Sequence, residues 1–139
     1  MVDTREVTHP MQRCLRCIYE LGRGGEVTGS QLVEHLGVRH ASVTNMLKRL
    51  EVLELVWRQP YYEIGLTPEG ELEALRMIRR HRLAELYLEE VLAYFQEEVY
   101  GEAESLEHAV SGLFIERIER VLGYPRLDVH GPHTREQEK

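Results

Sequence analysis

The chain has 139 residues, 42% of them hydrophobic and 29% charged, with a formal net charge of −7. That suffices for one compact domain, or a small domain with a helical extension, and no run of about 18 apolar residues offers a membrane span. The acidity argues against nucleic acid overall, yet it is unevenly placed. Residues 1–70 carry 8 Lys and Arg against 9 Asp and Glu, a balance of −1, while residues 71–139 carry 9 against 15, a balance of −6. The first half can therefore still present a local basic face. The start, MVDTREVTHP, has no basic n-region and no apolar h-region, so a cytoplasmic protein with reduced thiols is expected.

Pro10 suits a first helical turn, and Leu15, Ile18, Tyr19 and Leu21 give an apolar stripe, so a helix is predicted from about Pro10 to Leu21, stopped by GRGG. Cys14 and Cys17 form a lone C-x-x-C, a weak zinc signal without a second pair. Cys17 reads as a small core side chain, and Cys14 stays open between core and ligand. Thr28 and Gln31 match a capping box, and Gly37 closes the short helix that follows. A third helix begins near Ala41, with Val43, Leu47 and Leu50 on its buried face. Helix, short turn and helix make a helix-turn-helix. LVWR and YYEIGL, joined by QP, predict a hairpin wing.

Thr67 and Pro68 start a long helix as N-cap and first residue. Leu72, Leu75, Ile78 and Leu83 recur along it at helical spacing, and a break is expected near Glu89. Two further helices follow, with Ser111 as the cap between them. The tail from Gly123 contains Pro, Gly and charge, and is expected to be loosely ordered. The fold class is mainly α: a winged helix-turn-helix of three helices and a hairpin over residues 1–70, a helical domain over 71–124, and a tail over 125–139.

In EAESLEH, Glu104, Glu107 and His108 stand at i, i+3 and i+4, on one helical face. Two carboxylates and an imidazole suit a divalent first-row metal; the plainer alternative is a solvated acidic surface. His81, in RRHRLAE, lies on the preceding helix, which can pack antiparallel against this one. A metallohydrolase is the lower alternative, because Glu104 stands where an inverted zinc-protease motif needs His, and no nucleophile elbow, P-loop or dinucleotide fingerprint is present.

A winged helix followed by RRHRLAE and EAESLEHAVS resembles the DtxR/MntR metal-dependent repressors, over residues 10 to 124. The resemblance implies a homodimer with an N-terminal DNA-binding domain and a helical domain that dimerises and binds metal, repressing metal-uptake genes when metal is replete. It places metal ligands at His81, Glu104, Glu107 and His108. Glu at position 104 leans toward Mn2+, with Fe2+ next. A second site of some members falls on His81, Glu85 and Tyr100, where Tyr stands in place of the usual His. The family also draws ligands from its first helix, at positions aligned with Arg13 and Arg16. Arginine does not ligate a cation, so Cys14 or Met11 would have to substitute. A Cys14 thiolate would favour softer Fe2+, Zn2+ or Co2+. The third, SH3-like domain of some members has no counterpart, which fits the short two-domain type or a truncation.

The partner implied is double-stranded, palindromic operator DNA, read by two recognition helices in successive major grooves. Ser42, Thr44, Asn45 and Lys48 are the candidates for base edges; Thr28, Ser30, Arg39 and the wing residue Arg58 are the candidates for phosphates. A metal-independent winged-helix regulator is the alternative reading.

Overall fold

The computed structural model describes residues 7–59 and 63–127. The expected turn at Pro60 and the tail beyond Leu127 lie outside these residues. The chain divides into two compact units, Met1–Leu75 and Arg76–Lys139.

In the first unit, α1 (His9–Gly22), α2 (Gly29–Leu36) and α3 (His40–Val52) precede a hairpin of β1 (Val56–Arg58) and β2 (Ile64–Leu66). The helix α1 starts slightly earlier than its proline suggested, because the Thr8 hydroxyl accepts from the Met11 N–H and caps it. Its buried face is Met11, Cys14, Leu15 and Ile18, at i, i+3, i+4 and i+7. The capping box is formed: Thr28 Oγ1 accepts from Gln31 N–H at 3.2 Å, and Gln31 Oε1 accepts from Thr28 N–H at 2.8 Å. Gly37 ends α2 at φ 66°, in the left-handed region where a glycine costs least. Helix α3 buries Val43, Met46, Leu47 and Leu50, which turns its polar side outward.

The wing strands pair antiparallel, with Trp57 opposite Gly65. The indole lies so close over Gly65 that any Cβ there would collide with it. The Ile64 N–H also donates to the Val27 carbonyl, tying the wing to the approach to α2.

The long helix α4 (Pro68–Glu90) supplies residues to both units. Its start is anchored at the turn after α3. The Thr67 hydroxyl donates to Glu54 O at 2.7 Å and accepts from Gly70 N–H at 3.0 Å, while Thr67 N–H donates to Leu55 O at 3.1 Å. The helix runs to Glu90, one residue past the expected break. Leu72 departs from expectation and is largely exposed. The buried positions Gly70, Glu73, Ala74, Ile78 and His81 recur every three or four residues, and Leu72 falls off that stripe.

In the second unit, α5 (Gln96–Ala109) and α6 (Gly112–Val121) pack on the remainder of α4. Ala84, Leu88 and Ala103 form one apolar cluster between α4 and α5, flanked by Tyr94 and Leu106. Leu83, Ile115 and Ile118 form another between α4 and α6. Ser111 caps α6, its hydroxyl accepting from Phe114 N–H. Leu127 also packs on the α4–α6 cluster, so the chain is held by an apolar contact for some residues past Gly123. Among the described residues no helix is long and apolar enough to cross a membrane.

Two helical glycines should respond oppositely to alanine. At Gly70 an added Cβ would run into the Leu55 carbonyl oxygen, whereas at Gly101 it meets nothing within 4 Å. In thermal denaturation, Gly70→Ala is expected to destabilise by about 1–3 kcal/mol, and Gly101→Ala to stabilise by roughly 0.5–1 kcal/mol through helix propensity.

Candidate metal centre and nucleic-acid face

His81 is the centre of the second unit's polar chemistry. It sits in the middle of α4 and is only 6% exposed. Its Nδ1 lies 2.9 Å from Glu107 Oε1 on α5, and Glu107 is itself buried. Its other nitrogen, Nε2, is buried without a hydrogen bond and lies 3.7 Å from Glu85 Oε2. The Tyr100 ring packs against the imidazole, with centroids 4.8 Å apart and planes tilted by 59°. The ring thus has two polar sides, toward Glu107 and toward Glu85. Arg82 Nη1 approaches Glu85 Oε1 at 3.6 Å, so a cation already stands beside the second of these.

Glu104 and His108 share the α5 face with Glu107 and are half-buried. The structure therefore brings His81, Glu107, Glu85 and Tyr100 into contact, with Glu104 and His108 on the adjoining helix face. Among the described residues, no three His, Cys, Asp or Glu side chains already converge as a metal cage. The donors nevertheless fit a hard divalent cation. Carboxylate oxygens and imidazole nitrogens are donors that a divalent first-row cation takes.

Met11 and Cys14 belong to the first unit, on the buried face of α1. Burial, with a smaller contribution from Cys17, pushes the Cys14 thiol up from 9.0 to about 12. A thiol so held is a poor ligand until a metal displaces its proton. Arg13, at the position aligned with a family ligand, is exposed, and Arg16 is half-buried.

The candidate DNA residues lie in the first unit. Ser42, Thr44, Asn45 and Lys48 are all exposed on α3, as are Ser30 on α2 and Arg39 at the N-cap of α3. Thr28 is half-buried and committed to its capping box. Arg58 is engaged by a residue absent from the sequence-based set. Its Nε donates to Glu51 Oε1 at 2.7 Å, and Nη2 lies 2.5 Å from the same oxygen. Glu51, on α3, thus neutralises the wing arginine. Its only sequence signal was a carboxylate near the end of the recognition helix. Arg80, whose guanidinium donates to the Glu107 and Val110 carbonyls, likewise had no local signature.

Two outcomes follow from this geometry. Lys48→Ala is expected to lower the slope of log affinity for DNA against log salt by about 0.9, and Arg58→Ala to lower it by clearly less, because Glu51 already balances that charge; equal losses in salt titrations would show the pair opens on DNA. Cys14→Ser is expected to reduce stability by about 1–3 kcal/mol, through a buried hydroxyl in place of a thiol, and to leave the order of affinities for Mn2+ and Zn2+ unchanged in calorimetric titration. A shift away from Zn2+ would make Cys14 a ligand.

The chain is similar to known proteins along most of its length. Residues 6–64 match the family model of the iron dependent repressor, N-terminal DNA binding domain, and residues 67–135 match that of its metal binding and dimerisation domain. The HTH-type transcriptional regulator MntR of Bacillus pumilus is 32% identical over 112 residues, covering 80% of this chain and 77% of the relative. The diphtheria toxin repressor of Corynebacterium glutamicum is 34% identical over 131 residues, covering 94% of this chain but 53% of the relative. Among solved structures, the manganese regulator SloR superposes with a TM-score of 0.74 at 32% identity, over 89% of this chain and 62% of that one. A manganese-dependent transcriptional repressor in complex with manganese gives 0.77 at 35% identity, over 93% and 60%. The chain thus spans less than two thirds of these structures and about half of the diphtheria toxin repressor. It belongs to the DtxR/MntR family of metal-responsive, DNA-binding transcriptional repressors.

Proposed function

We propose that this protein is a cytoplasmic homodimer that binds a palindromic operator when a divalent cation, Mn2+ before Fe2+, is held by His81, Glu104, Glu107 and His108. The observation that carries the reading is the buried His81–Glu107 pair at 2.9 Å, with two further donors on the same face of α5. Two carboxylates and two imidazoles suit Mn2+ or Fe2+, with Zn2+ or Co2+ as competitors. The Nδ1 side of His81 is the better place for the ion. On the Nε2 side Arg82 pairs with Glu85, and Tyr100 stands at the position where the family usually has an imidazole.

A cation held there would supply positive charge that offsets the repulsion between the two carboxylates of α5. His81 and Glu107 would exchange their mutual contact for the ion, and Glu104 and His108 would complete the donor set from the same face of α5. Regulation requires that the metal-loaded protein favour the DNA-competent arrangement; a coupling of about 1–3 kcal/mol raises operator affinity roughly 5–150-fold. Dimerisation through the second unit is supported by its exposed apolar side chains, notably Phe95 on the loop before α5 and Leu113, Phe114 and Val121 on α6. The α6 residues lie off the face that buries Ile115 and Ile118.

Operator binding measured by fluorescence anisotropy should strengthen at least about fivefold in Mn2+ over chelator, and Glu107→Ala should abolish that gain while leaving the circular dichroism spectrum intact. Equal binding in chelator and in every metal would identify a metal-independent regulator with a structural acidic helix.

A further inference from the structure

Helix α5 ends without a glycine. Its C-cap, Val110, is extended at φ −111°, so no left-handed residue folds the backbone over the last carbonyls. A side chain of α4 takes that role. Arg80 Nη2 donates to the Glu107 carbonyl at 3.0 Å and to the Val110 carbonyl at 3.2 Å. The guanidinium is half-buried, and its charge complements the negative end of the helix dipole. The next residue of α4, His81, takes the Glu107 carboxylate at 2.9 Å. Two consecutive residues of one helix therefore grip a single residue of another, one by its backbone and one by its side chain.

We propose that Arg80 is a positioning residue for the metal centre, fixing the last turn of α5 so that the Glu107 carboxylate meets His81 before any cation arrives. This rests on the reading of His81 and Glu107 as ligands. The backbone grip sets the height of Glu107 along α4, and the carboxylate then needs little reorganisation to bind an ion. Without Arg80, two terminal carbonyls turn to water and the last turn frays. Part of the cation's binding energy is then spent on re-forming it. Lysine would reach one carbonyl as a point charge but lacks the planar fork of arginine.

The test combines a metal-free readout with a metal titration of the full chain. In the metal-free protein, Arg80→Gln should speed amide hydrogen exchange at His108 to Val110 by about tenfold or more relative to wild type, and Mn2+ affinity should fall about 10- to 100-fold, as for other residues that orient a ligand. Arg80→Lys should recover part of both, and saturating Mn2+ should restore protection in Arg80→Gln. Faster exchange with unchanged Mn2+ affinity would reduce Arg80 to a helix cap, and unchanged exchange would remove even that role; either overturns the proposal. Glu107→Ala, which keeps the backbone carbonyl, separates the two readings. It should lose Mn2+ affinity while retaining slow exchange at the last turn. Unchanged Mn2+ affinity in Glu107→Ala would overturn the ligand assignment itself, and the proposal with it, whatever the exchange rates show.

Discussion

The buried contact between His81 and Glu107 is the constraint around which the second unit is organised. A carboxylate and an imidazole removed from water are costly unless each finds a partner. Here the partner is on another helix, so the pairing fixes α4 against α5 as well as satisfying two polar groups. The surrounding apolar clusters serve the same geometry: Ala84, Leu88 and Ala103 allow close approach of α4 and α5, while Leu83, Ile115 and Ile118 seat α6. Arg79, which contacts Glu119, adds a charged tie between α4 and α6. A domain held in this way has its helices fixed by its own side chains.

The first unit is built on backbone rules more than on polar burial. Its capping box at Thr28, left-handed Gly37 and Thr67–Gly70 anchor each fix where a helix begins or ends. Those endpoints turn Ser42, Asn45 and Lys48 outward on α3. Helix α4 begins in this unit, against the turn that follows the recognition helix, and continues into the unit that carries His81. One element therefore supplies residues to both units. The pairing of Glu51 with Arg58 leaves α3 and the wing less positive than their arginine and lysine content suggests.

Much of this was legible in the sequence because it depends on local periodicity. The i, i+3, i+4 spacing of Glu104, Glu107 and His108 requires only that α5 be a helix, and Thr28–Gln31, Gly37, Thr67–Pro68 and Ser111 are local stop and start signals. Leu72 misled because one apolar residue can keep helical spacing with a neighbour yet sit off the buried stripe. The contacts that were not legible join residues far apart in the chain through long side chains. Arg80 reaches carbonyls 27 and 30 residues away, and backbone acceptors leave no mark on composition. Arg58 finds Glu51 across the junction of helix and wing, a distance set by the turn at Glu54. The high thiol pKa of Cys14 follows from burial, which a C-x-x-C spacing alone does not reveal.

The central claim is that His81 is a metal ligand, and the most direct measurement is calorimetric titration of the His81→Ala chain with Mn2+, alongside the wild type. The account predicts a loss of at least about 100-fold in affinity, larger than the effect of removing a merely orienting residue, with the helical content unchanged. Wild-type affinity in His81→Ala would contradict it and leave the buried pair with Glu107 as a structural hydrogen bond.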